Sequence, residues 1–158
     1  MLRLYNRGAI ALITVFISAM PVLSQKTSNF GTLTLSPGFA PKEGRATGTT
    51  GGSYSLSSIA NRDRNKNPCI GFGDSSPDHI LVLQKNFPSL SILVNARGQD
   101  TTLVIQGPND QTIRCGDDTG SSKNASVQDS DWGAGTYKIW VGAIESGQRV
   151  NYTLSVRE

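Results

Sequence analysis

GTYKIWVGAIESGQRVNYTLSVR, residues 135–157, contains two successive runs with a period of two. Tyr137, Ile139, Val141 and Ala143 alternate with Lys138, Trp140 and Gly142. After a turn at Glu145–Gln148, Tyr152, Leu154 and Val156 alternate with Asn151, Thr153, Ser155 and Arg157. Successive side chains on a strand point to opposite faces, so each run reads as a strand with one buried face. Short turns between such runs predict antiparallel hairpins.

The same grammar extends towards the N-terminus. Thr112–Cys115 and Thr102–Ile105 read as strands separated by the turn Gly107-Pro108-Asn109-Asp110. Leu90, Ile92 and Val94 alternate with Ser89, Ser91 and Leu93, and Ile80–Leu83 is a short apolar run. Gly116–Asn124 is a polar loop, followed by a short reversing strand around Ala125–Gln128. Phe30–Leu35 and Tyr54–Ile59 read as strands, Thr47–Gly52 as a flexible Gly/Thr loop, and Asn61–Asn67 as a solvated loop with interleaved Arg62, Arg64 and Lys66. No stretch holds a helical period. The predicted fold is all-β: an antiparallel two-sheet sandwich of eight to ten strands, jelly-roll-like in topology.

Composition agrees with this class. Charged residues are 17%, below the usual quarter, and there are 17 glycines among 158 residues, the make-up of a turn-rich β domain. Residues 1–24 have the three parts of an export signal: Arg3 and Arg7 without an acid, the apolar run Ala9–Met20, and Val22-Leu23-Ser24 ahead of a cleavage point at Gln25. The run is shorter than the about 20 residues that span a bilayer, so cleavage that leaves no membrane span is expected; an uncleaved membrane anchor is the competing reading. Of 15 Lys and Arg against 12 Asp and Glu, two lie in the signal, and the remaining 13 against 12 lack the basic excess of a nucleic-acid binder. The remaining 134 residues, 158 less 24, are read as one folded unit. It comprises an N-terminal segment, 25–67, and a better-patterned part, 68–158. Cys69 and Cys115 are the only cysteines, and in a secreted or periplasmic setting they are expected to form a disulfide; two buried free thiols are the competing reading.

Pro77-Asp78-His79 ahead of an apolar strand, Asp100–Ile105, Gly107–Asp110, Arg114-Cys115-Gly116-Asp117-Asp118, Gly135–Gly142 and Tyr152-Thr153-Leu154 follow one another in an order that resembles the bacterial pre-peptidase C-terminal domain family. The resemblance covers about Cys69–Glu158. It implies a non-catalytic β-sandwich of the kind appended to secreted peptidases, some relatives of which bind collagen or other extracellular polymers, or calcium. Here the signal and the 25–67 segment precede it in place of a peptidase, which favours a free-standing module.

Three sets of residues are candidates for chemistry. Gly73-Asp74-Ser75 has the look of a nucleophilic serine site, but the only histidine, His79, lies four residues on and no G-x-S-x-G elbow occurs, so a turn is the preferred reading. Counting strand reversals brings the Asp100 turn, the Asp117-Asp118 loop and the Glu145 turn to one end of the sandwich, and Asp110, Asp129 and Asp131 to the other. Asp100, Asp117 and Asp118 are therefore candidate ligands for one calcium ion, the sole cofactor considered; the plainer reading is that aspartates at turns cap backbone amides. Trp140 lies opposite Tyr137 and Ile139 and is a candidate exposed platform for a polymer, against burial under covering loops; Trp132 is read as buried. The functional expectation is a non-catalytic exported module binding an extracellular or envelope protein or polysaccharide. A structural or assembly protein of the cell envelope is the alternative, and a hydrolase is the weakest reading.

Overall fold

The computed structural model describes residues 28–158. The export signal lies outside these residues. Eleven strands form two packed sheets. They are β1 (Thr32–Leu35), β2 (Arg45–Thr49), β3 (Tyr54–Ser55), β4 (Phe72–Gly73), β5 (His79–Leu83), β6 (Phe87–Asn95), β7 (Thr101–Gln106), β8 (Ile113–Gly116), β9 (Ser126–Trp132), β10 (Gly135–Ala143) and β11 (Asn151–Arg157). A single 3-10 turn occupies Leu56–Ser58. Among the described residues no helix is long and apolar enough to cross a membrane.

Sheet A is organised around β10. One side of β10 pairs with β7, which pairs with β8; the other side pairs with β5 along one half and β4 along the rest, and β1 and β3 lie outside these. Sheet B has the order β2-β11-β6-β9, antiparallel throughout. The sandwich is thus confirmed, with three corrections. The strand count exceeds ten because β2 falls where a loop is expected and β4, two residues long, is too short to show a period, while only Tyr54–Ser55 of the strand expected over Tyr54–Ile59 is extended. The β1–β5 pair is parallel. And β10 and β11 are not a hairpin: they lie in opposite sheets and face each other across the core. Alternation reports which face of a strand is buried, not which strand lies beside it.

The core is the set the alternation marked. Tyr137, Ile139 and Val141 of β10 pack with Tyr152, Leu154 and Val156 of β11, Leu90, Ile92 and Val94 of β6, and Leu81 and Leu83 of β5. Trp132 is fully buried, as expected. A second, smaller core lies on the outer face of sheet A, where Leu56, Cys69, Val104, Cys115 and Trp140 pack under the segment between β3 and β5. The Cys69–Cys115 disulfide is formed there. Thr47–Gly52, expected to be a flexible loop, instead contributes most of β2, paired with β11 from Thr49↔Asn151 to Arg45↔Ser155. Gly48 is required: a Cβ there would collide with the Tyr152 hydroxyl and the Phe30 ring.

One ion pair joins the two sheets at their β8 and β9 margins. The Arg114 side chain, 1% exposed, donates from Nε to Asp129 Oδ2 at 2.7 Å and from Nη2 to the Ser130 and Asp131 carbonyls, and its guanidinium lies 4.0 Å above the Trp132 ring. Burial works against the Asp129 charge, but the Ser130 backbone bond and the Arg114 and Arg64 guanidinium groups outweigh it and hold the carboxyl below its usual range.

Two buried ionisable groups open β5. Asp78 Oδ2 accepts from the Val141 amide at 2.7 Å. Burial raises its pKa to about 6, against the opposing bonds from Val141 and Asn29. The adjoining His79 ring packs between Phe30 and Tyr152, with Nε2 2.9 Å from the Tyr152 hydroxyl, and burial lowers its pKa to about 4. These shifts act on stability with opposite signs. The folded chain holds the Asp78 proton more tightly than the unfolded chain, so this term falls as pH rises from 3.8 to about 6. It holds the His79 proton less tightly, so that term falls as pH drops from 6.5 to about 4. Each amounts to about 3 kcal/mol, and over the shared range they largely cancel.

Two outcomes are expected. In denaturant melts, Cys69→Ser/Cys115→Ser loses about 4 kcal/mol, the chain-entropy value for a loop of this length, and a loss under about 1 kcal/mol contradicts it. Asp78→Asn keeps the acceptor for Val141 but removes the titration, leaving His79 unopposed. Its stability relative to wild type therefore worsens by about 3 kcal/mol as pH falls from about 6 to 3.8, the range of the missing Asp78 term; a pH-independent difference contradicts the linkage.

Candidate functional site

The three predicted calcium ligands meet. Asp100 stands just ahead of β7, and Asp117-Asp118 follow β8, its antiparallel partner, so both loops leave the sheet at one end. One oxygen from each of the three carboxylates lies within 4.8 Å of the others. The backbone around them is fixed. The Ser126 amide donates to the Asp117 carbonyl, the Thr101 amide to the Lys123 carbonyl, and the Ala125 amide to Thr101 Oγ1. Thr119 and Ser122 exchange backbone hydrogen bonds, and Thr119 Oγ1 donates to the Asn124 carbonyl at 2.7 Å. Gly116 permits the approach, because a Cβ there would run into the Ser126 carbonyl.

Electrostatics mark this end as strained by like charge. Burial raises the Asp117 pKa first, and the Asp118 and Asp100 carboxylates raise it further. Among the described residues Asp117 Oδ1 is buried with no hydrogen-bond partner. An orphaned carboxylate oxygen among three converging acids suits a hard cation, which takes six to eight oxygens from such groups, carbonyls and water. The cluster is not bare of cations: Lys123 Nζ lies 3.5 Å from Asp100 Oδ2. Asp110, Asp129 and Asp131 belong elsewhere, paired with Lys138, with Arg114 and Arg64, and with Arg64.

Trp140 is a correction. It does lie on the face opposite Tyr137, but that face is covered by the second core, and Trp140 is 5% exposed with Nε1 directed to the Ser75 carbonyl at 3.4 Å. It offers no platform. Ser75 and His79 take separate partners: Ser75 is exposed beside Asp74, while His79 is fully buried against Tyr152.

A second feature went unread in the sequence. The outer face of sheet B carries a broad open trough of about 970 Å³ crossing β2, β11 and the end of β6. Its floor is a row of short polar side chains in register: Thr49 opposite Asn151, and Thr47 and Asn95 on either side of Thr153. Arg97, Arg149 and Phe30 stand on its rim. These residues come from distant parts of the chain and none is unusual alone, so no local motif announces them.

The chain matches no protein-family model and no curated protein. Among solved structures it is similar to the pre-peptidase C-terminal domain of a collagenase from Bacillus anthracis, with 14% sequence identity and a TM-score of 0.46, over 80% of this chain and 94% of that one.

Proposed function

We propose that this chain is a non-catalytic module, exported to the extracellular or periplasmic space, that binds a protein or polysaccharide partner there. The observation that carries the reading is the uncovered trough on sheet B: a concave surface on paired strands, lined by hydrogen-bonding groups, that no segment among the described residues covers. Export is supported by the three-part pattern of residues 1–24 and by a disulfide joining the chain's two cysteines. The absence of a serine–histidine pairing at Ser75 and His79 removes the support for the one hydrolase motif in the sequence.

The same reading places a calcium ion at Asp100, Asp117 and Asp118, where it would relieve the mutual repulsion of the carboxylates and give the orphaned Asp117 oxygen a partner. Its contribution would be structural, joining the β8–β9 loop to the β6–β7 loop, which carries Arg97 and Gln99 of the trough.

Two measurements test this. Incubated with insoluble polysaccharide and protein matrices, the protein is expected to be retained on at least one; retention on none, with co-purification in envelope fractions, favours the assembly role instead. Excess calcium is expected to raise Tm over that in chelator by about 3 °C or more. Asp117→Asn is expected to abolish that shift while leaving the chelated protein no less stable. Equal Tm in calcium and chelator removes the ion from the proposal.

A further inference from the structure

We infer that the trough on sheet B is a binding site for an acidic polysaccharide, one bearing carboxylate or sulfate groups. The inference rests on the reading of the chain as a binding module and specifies its ligand.

Charge gives the sign of the partner. Among the described residues none that lines the trough is acidic, and Arg97 and Arg149, exposed on its rim, make no ion pair. Asp74 and Asp78 line a smaller depression that shares Phe30, Thr49 and Arg149 with the trough, but neither is in ion-pair contact with Arg149 and Asp78 is engaged with the Val141 amide. Asp100 and Glu145 face another depression beyond Gln99 and Gln148, where Asp100 is matched by Lys123. A guanidinium fork with no acid in ion-pair contact donates to carboxylate or sulfate oxygens in pairs.

The lining gives the class. Thr47, Thr49, Asn95, Asn151 and Thr153 present hydroxyls and amides that both donate and accept, as sugar hydroxyls require. Phe30, 43% exposed at the margin, offers the one aromatic surface against which a pyranose can pack. The trough lacks the cluster of aromatic and aliphatic anchors that carries a protein interface. It also lacks the succession of stacking rings and the basic stripe used for single-stranded nucleic acid.

The test is affinity electrophoresis of the purified protein through gels containing polygalacturonate, dextran sulfate, neutral dextran or double-stranded DNA. Retardation is expected in polygalacturonate or dextran sulfate, weakening at least about tenfold from low to high salt, with none in dextran. Arg97→Ala/Arg149→Ala is expected to weaken it at least tenfold at unchanged Tm, and Thr47→Glu, which places a carboxylate on the floor, to weaken it comparably. Equal retardation in neutral dextran, equal retardation by DNA, or full retention by both variants overturns the inference. Capture on a protein matrix with no retardation by either acidic glycan overturns it too, while sparing the broader reading as a binding module; failure in every gel and on every matrix overturns both.

Discussion

Strand β8 is one margin of sheet A, and the way its edge is satisfied governs the surrounding structure. An open strand edge exposes unpaired amides and carbonyls that invite another chain. Here the loop 61–67 supplies the missing partners: the Cys115 amide donates to Asp63 Oδ2, and the Arg64 amide donates to the Ile113 carbonyl. Asp63 is itself held by the amides of Asn65 and Asn67. The disulfide fastens the end of this loop to β8, and Trp140 fills the space beneath. On the other side Arg114 reaches across to Asp129 of the second sheet. One four-residue strand is therefore pinned from three directions, and the Asp117-Asp118 loop begins where that pinning ends.

The charge balance takes on meaning once placed on this frame. A near-neutral total conceals a separation. Acids gather on the loops leaving β8 and preceding β7, where three converge. The outward positions of β2 and β11 carry no acid and end in Arg45 and Arg157, with Arg97 and Arg149 nearby. A molecule charged in this way presents different faces to an anion and a cation, and net charge alone predicts neither.

Much of this was legible. The period of two in β6, β10 and β11 marked the core, and counting reversals was enough to bring Asp100, Asp117 and Asp118 together, because turns at one end of a sandwich share that end whichever strands pair. What failed were inferences that needed the third dimension. Trp140 sits at an outward position, yet a segment some seventy residues away covers it. The loop bearing Arg62, Arg64 and Lys66 looked like solvated charge, but Asp63 within it is the buried residue, and Arg64 is occupied with Asp129 and Asp131. β2 escaped notice because its inward positions are Ala46 and Gly48. A strand over a bulky neighbour keeps its alternation in size, not hydrophobicity, and composition alone reads that as a loop.

Gly48 also links the trough to the core. With no side chain there, the Tyr152 hydroxyl and the Phe30 ring come up against the β2 backbone. Tyr152 in turn holds His79 by hydrogen bond, and Phe30 packs tilted against His79 and edge-on to Tyr152 at centroid distances of 5.8 and 6.4 Å. Phe30 is therefore the partly exposed member of a buried aromatic cluster rather than a side chain loose on the surface. The polar row beside it stands on paired strands, with Thr49 Oγ1 bonded to Asn151 Oδ1 at 2.7 Å. Groups ordered before a ligand arrives lose little freedom when it does. That matters most for a shallow, open site, where few contacts are made and each must retain most of its worth.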